Sequence, residues 1–399
     1  MKVEKFLLIF FICASFVYPG VAQGDDGDSV TDYANVIEAR AQPQVKHLLV
    51  LLWNQQDPAV TVPDAQTIDD LIFGPGKSVK NYYAQESGGK IDIQKAGVMG
   101  WYPALKPAEH YWADPDPTDA DGDGFISGHN EKWVEAIRDA DPDFDYSSYD
   151  FNHDHHLDPT TELGVLIVIP SAGPFGTNRP IVGREAPIVE PLIVDGVSIG
   201  VIAEVYAGTP PNFGAFAHEI GHLLFGFTDM YMESPYRAGG YSIFDSSYSN
   251  SEVDPWEKTV AGWINQAVVT ESGTYELEDI AVGHTVVKIP RPNSSEFFII
   301  ENRELNTYQD VGQPGLLIWD ILNPSTAGDW GRNNIHLLRS NGGTPVNDAN
   351  AAYHGTSDTD LGVVPELKWS DGSSSGISLS GISVPGPKMR FTLKFATAD

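Results

Sequence analysis

The sequence predicts an α/β (α+β) domain followed by a β-rich domain, and three observations carry that expectation. Two apolar runs of strand length, VKHLLVLLW at 45–53 and GVLIVI at 164–169, have no polar alternation and so read as strands covered on both faces. Segments of helical spacing lie between and after them, the most apolar at 213–224. From about 266 the chain changes to short alternating runs at 285–289, 297–302, 316–321 and 389–395, punctuated by Gly, Pro, Asn and Ser, as expected of packed antiparallel sheets. With 399 residues, 41% of them apolar, there is enough chain for two cores.

In chain order, residues 1–22 have the form of an export signal. Lys2 and Lys5 precede an unbroken apolar run at 6–17, and Gly20, Val21 and Ala22 supply small residues for cleavage. Residues 23–44 are polar and Asp-rich, without hydrophobic periodicity, and read as a flexible leader. The predicted catalytic domain spans 45–265. After the strand at 45–53 come a helix at 78–87, stopped by Gly88 and Gly89, and a strand at 90–102. An acidic stretch at 114–158 leads to the strand at 164–169, which Pro170 closes. A strand at 197–206, the helix at 213–224 and a second helix at 254–263 complete the domain. Residues 266–399 are expected to form a β-sandwich-like domain.

Lys and Arg total 24 against 55 Asp and Glu, a formal charge of -31, which argues against nucleic acid or an anionic membrane as a partner. Past the signal there is no apolar stretch long enough for a bilayer, so no stable membrane insertion is expected. Cys13 is the sole cysteine and lies within the signal. The expectation is a secreted, extracellular bacterial protein held by core packing and cations rather than disulfides.

The helix at 213–224 carries the chemistry. His218 and His222 stand four apart, so on a helix they share one face and can chelate one Zn2+. Glu219 is placed to act as general base on a water held there. A helix this apolar buries two imidazoles and a carboxylate at a cost that a metal offsets. A third ligand is required. Asp229, just beyond the Gly226 turn, is the first choice, with Glu233 and Asp245 as alternatives.

These residues, with others, resemble the immune inhibitor A-type family of secreted metallopeptidases. GAFAHEIGHLLFGFTDMY at 214–231 is similar to that family's metal helix with its following Gly, Asp and aromatic. DPWEKTVAGWI at 254–264, SVKNYYAQESGGKIDIQKAGVMGWY at 78–102 and YDFNHDHHL at 149–157 resemble further family segments, as do Glu301-Asn302-Arg303 and GLLIW at 315–319. The resemblance covers about 45–395. It implies a zincin-like fold and zinc endopeptidase activity on protein or peptide substrates. It also implies His218, His222 and Asp229 as ligands and Glu219 as the catalytic carboxylate. The chain departs from the family pattern at two places. Phe225 stands where the Gly is usual, moving that Gly to 226, and Phe244 stands where a Met-containing turn is expected.

Two acidic segments suggest Ca2+. Asp119, Asp121, Asp123 and Gly124 repeat the first half of an EF-hand-like loop, although Asn130 holds the twelfth position, with Glu131 next. Asp150, Asn152, Asp154 and Asp158 form a second, with His155 in the place of the turn Gly. The expected reaction is peptide-bond hydrolysis, with an extended substrate along an edge strand, the one at 197–206 being the candidate, and Tyr248 a candidate oxyanion donor. The alternatives are a catalytically inactive binding or adhesion protein on the same fold, and a calcium-braced structural or carbohydrate-binding module.

Overall fold

The computed structural model describes residues 42–112, 128–171, 184–230, 238–245, 251–306, 308, 312–322, 335–340 and 351–396. The signal, nearly all of the leader, the first acidic loop with Asp119, Asp121 and Asp123, and the candidates Glu233 and Tyr248 lie outside them.

The chain is a mixed α/β protein with three sheets among the described residues. The first contains β1 (Gln44–Asn54), β2 (Ile91–Pro103), β3 (His156–Leu157), β4 (Leu163–Pro170), β5 (Arg184–Val194) and β6 (Val197–Ala207), and runs in the order β2-β1-β4-β6. All of its pairings are parallel except that of β5, which lies antiparallel on β6. The continuous apolar runs of β1 and β4 follow from this topology, because helices cover both faces. Leu48, Val50, Leu52, Leu166 and Val168 point to one side. There they meet α1 (Ala65–Phe73), α2 (Val79–Glu86) and α5 (Phe213–Phe225). Leu49, Leu51, Trp53, Val165 and Ile167 point to the other, which α3 (Ala108–Trp112) and α4 (Gly128–Ala140) cover.

The strand at 197–206 is interior, between β4 and β5, and is not the edge expected for a bound peptide; among the described residues β5 pairs only with β6. The neighbours of this strand depend on a crossover that local sequence pattern does not encode. The expected helix at 254–263 is shorter. It is α6 (Pro255–Val260), capped by the Asp254 side chain and ended by Gly262 at φ 69°.

The C-terminal region follows α6 with a five-stranded sheet and a four-stranded sheet. The five-stranded sheet contains β7 (Asn265–Val268), β9 (Thr285–Pro290), β10 (Phe297–Arg303), β11 (Gly315–Ile321) and β12 (Ile335–Leu338). The four-stranded sheet contains β8 (Gly273–Glu278), β13 (Gly362–Val364), β14 (Ile377–Ile382) and β15 (Lys388–Phe395), and the short helix α7 (Ile280–Gly283) follows β8. Strand alternation separates their surroundings. Phe298, Ile300, Leu316 and Ile318 face Leu379, Phe391 and Leu393 of the four-stranded sheet, forming a sandwich core. Phe297, Ile299, Leu317 and Trp319 point the opposite way, into the core that contains α2 and α5. The β region is therefore packed into the α/β domain as a further layer. No helix among the described residues is long and apolar enough to cross a membrane.

The seam between these layers holds a buried charge cluster. Lys258 on α6 lies 2.9 Å from both Glu86 on α2 and Glu252. On β10, the Arg303 Nη2 lies 2.8 Å from Glu301. The Asn306 amide donates to Glu252, and the Trp319 indole donates to Glu301. With Asp254, these carboxylates outnumber the cations Lys258 and Arg303 in a region closed to water. Burial pushes the Glu86, Asp254 and Glu301 carboxyls up, Glu86 from 4.5 to about 7. Burial also opposes ionisation of Glu252, but Lys258 and Arg303 outweigh it and hold that carboxyl down.

Because the folded value of Glu86 exceeds the unfolded one, its stabilising contribution is complete below about pH 4.5 and is lost as pH rises through about 7. The melting temperature of the wild type minus that of Glu86→Gln should accordingly fall between pH 5 and pH 8. A difference that stays constant across this range would show that Glu86 keeps its ordinary ionisation in the folded protein.

Candidate metal centre

Helix α5 is built to be buried. Asn212 caps its start by accepting the Ala215 N–H at 3.0 Å. Gly226, left-handed at φ 69°, ends it while donating to the His222 carbonyl. Every residue from 213 to 224 is buried. Gly221, between the two histidines, allows the close approach on one side. A Cβ there would sit 2.5 Å from the Phe244 ring and against the Tyr83 hydroxyl. Tyr83 itself donates to the Ala217 carbonyl at 2.6 Å.

His218 and His222 converge as the four-residue spacing predicts, with 2.8 Å between their Nε2 atoms. Asp229 joins them, its Oδ1 at 3.0 Å from the His218 Nε2 and 3.1 Å from the His222 Nε2. The turn carrying Asp229 is pinned on both sides. Thr228 N–H donates to Glu257 on α6, and Met230 N–H donates to the Phe244 carbonyl. Of the alternative third ligands, Asp245 does not join the trio; it accepts the Ala238 and Gly239 N–H groups and closes the 238–245 turn. Glu219 is buried beside the trio, with one oxygen 3.8 Å from the His218 Nε2.

The far side of each imidazole sets what the near side can do. The His218 Nδ1 is 2.9 Å from the Ile243 carbonyl, and the His222 Nδ1 is 2.5 Å from the Phe227 carbonyl. Each Nδ1 must donate to its carbonyl, so in neutral rings both Nε2 atoms present lone pairs. Two lone pairs and a carboxylate oxygen then face one point, an arrangement that repels itself unless a cation lies among them. Zn–N bonds of about 2.0–2.1 Å at tetrahedral angles separate donor atoms by roughly 3.3 Å, within about half an ångström of the 2.8, 3.0 and 3.1 Å separations here. The donor set therefore fits a zinc ion. Burial opposes the Asp229 charge; protonated His222 and His218 rings would outweigh it and hold that carboxyl well below the usual range, and with neutral rings that positive charge has to come from a bound cation. The Phe244 ring lies against both imidazoles, with centroids at 5.3 and 5.2 Å, in the place where the family resemblance leads one to expect a Met.

The second acidic loop draws together Asp150, Asp154 and Glu162, one oxygen from each within 4.8 Å of the others. These could hold a cation. Asp158 is not among them; its carboxylate accepts from Thr160 N–H and hydroxyl. Asn152 lies alongside, its amide donating to Asp154. His155 adopts the left-handed turn conformation, φ 64°, that its position in the loop requires. Glu162 is the group that sequence reasoning missed. Counting twelve positions from Asp150 ends on Thr161, one short of the carboxylate that folds back. Glu162 accepts the N–H groups of Asn152 and Asp158.

Compared with models of known protein families the chain has no match, and compared with curated proteins it has none either.

Replacing Gly221 by Ala should destabilise the protein by about 1–3 kcal/mol, since the added methyl meets two buried rings. Thermal unfolding measures this, and an unchanged melting temperature would mean that Tyr83 and Phe244 yield freely.

Proposed function

We propose that the protein is a zinc-dependent metallopeptidase with a zincin-like catalytic domain. More particularly, we read it as a secreted endopeptidase of the immune inhibitor A type. The observation that supports this best is the convergence of the His218 and His222 Nε2 atoms with the Asp229 carboxylate beside Glu219. Zinc bound there would supply a Lewis acid that polarises the scissile carbonyl and lowers the pKa of a water toward neutrality.

The remaining work falls to the chain's own groups. The carbonyls of Ile243 and Phe227 hold the two imidazoles in the tautomer that leaves each Nε2 available. Asp229 contributes the negative charge that a dication requires. Glu219, next to His218 on the same buried helix, accepts the proton of the attacking water and passes it to the departing amine. Residues 1–22, which have the form of an export signal, support a location outside the cell for this chemistry.

Purified protein should carry one zinc and cleave casein or gelatin in a chelator-sensitive manner. Glu219→Gln should keep the metal and lose activity by about 10²–10⁴-fold, whereas His222→Ala should lose the metal itself. Undiminished cleavage by Glu219→Gln, or protein free of zinc after growth with it, would overturn the reading.

A further inference from the structure

The turn at 238–245 supplies two parts of the metal centre, the Ile243 carbonyl that fixes His218 and the Phe244 ring beneath both imidazoles. Much of what holds this turn comes from the C-terminal sheet layer. The Arg303 Nη1, on β10, donates to the Tyr241 carbonyl at 2.5 Å. The Tyr241 hydroxyl accepts the Gln313 N–H at 2.8 Å and donates to the Gln313 carbonyl at 3.2 Å. Gly312, at φ 91°, lies so close to the Tyr241 ring that a Cβ there would stand 2.7 Å from it. Tyr241 is thus gripped at its carbonyl, hydroxyl and ring face by residues more than sixty positions later in the chain. Arg303 is itself immobilised, fully buried and ion-paired with Glu301. The segment at 251–254 completes the frame: the Ile243 N–H donates to the Glu252 carbonyl, and Ser251 donates to the Gly240 carbonyl.

We propose that Arg303 is a positioning residue for the metal centre: by holding Tyr241 it aims the Ile243 carbonyl at the His218 Nδ1, which makes the C-terminal β region part of the metal site. This inference rests on the zinc reading above. Groups that orient a ligand imidazole typically govern metal affinity by 10–100-fold, and a side chain acting through one intervening turn should fall near the lower end of that range. Lys in place of Arg303 keeps the positive charge against Glu301 and Glu252 but has no planar fork to span Glu301 and the Tyr241 carbonyl together.

The test uses the full-length protein with three substitutions. Arg303→Lys and Tyr241→Phe loosen the turn from different sides, and Ile300→Val weakens the opposite face of the same strand. Zinc affinity is measured by competition with a chromophoric chelator, the ligand field by the visible spectrum of the Co2+-loaded protein, and stability by melting of the metal-free protein. Arg303→Lys and Tyr241→Phe should each weaken zinc binding roughly tenfold and alter the Co2+ spectrum. Ile300→Val should lower the melting temperature while leaving both metal readouts unchanged. If Arg303→Lys does not fold, Arg303→Gln, whose amide reaches at most one of Glu301 and the Tyr241 carbonyl, takes its place. Wild-type metal affinity and spectrum in both loosened variants would overturn the positioning role while leaving the zinc reading intact. A wild-type protein that takes up no zinc would overturn that reading and the positioning role with it.

Discussion

Three lone-pair donors aimed at one point, two of them on a fully buried helix and the third half-buried, are the constraint on which the candidate centre depends. The two imidazoles cannot turn away, because each ring nitrogen on the far side is tied to a main-chain carbonyl. They cannot separate, because both ride one helix whose every residue from 213 to 224 is buried. Asp229 cannot withdraw, because the residues on either side of it are hydrogen-bonded to Glu257 and Phe244. A rigid arrangement of mutually repelling groups is poor for stability without a compensating charge. It is what pre-organised metal binding requires, since little is then lost on reorganising the ligands.

The helix motif, the buried parallel strands and the β-rich C-terminal half were legible in the sequence because each is a local pattern. Four-residue spacing brings His218 above His222 in any α-helix, and unbroken runs such as that of β1 occur where both sheet faces are covered. Asp229 was legible as a polar residue just beyond a helix-ending Gly. Features that depend on tertiary contact were not. The position of β6 within the sheet follows from crossovers. Glu162 closes the second acidic loop from outside the counted window. Helix α4 went unnoticed because its acidic, weakly apolar sequence, GHNEKWVEAIRDA, merges with the charged stretch before it. Glu301, Asn302 and Arg303 stood out only as part of a resemblance; their alternation across a strand, with Glu301 and Arg303 turned toward the helices, gives them a physical place.

The seam between the two regions joins polar and apolar packing. Trp319, Ile299 and Leu317 enter the core of the helical layer, while Lys258, Arg303 and their carboxylate partners occupy its centre. A buried cluster with more acids than bases tolerates few alternative arrangements, since moving any one member strands a charge. Apolar area supplies the attraction between the layers, and the ionic cluster lies buried within that contact. The change of composition near 266 thus coincides with a change of secondary structure across which one core, containing α2, α5 and one face of the five-stranded sheet, is continuous.

The phenyl ring of Phe244 gives the floor beneath the imidazoles a chemical property that a thioether would not. Peroxide converts methionine sulfur to a polar, chiral sulfoxide, which disrupts the packing around it. A benzene ring offers no such atom, so the surface supporting both histidines should keep its shape in surroundings rich in oxidants, where a sulfur-based floor would be vulnerable.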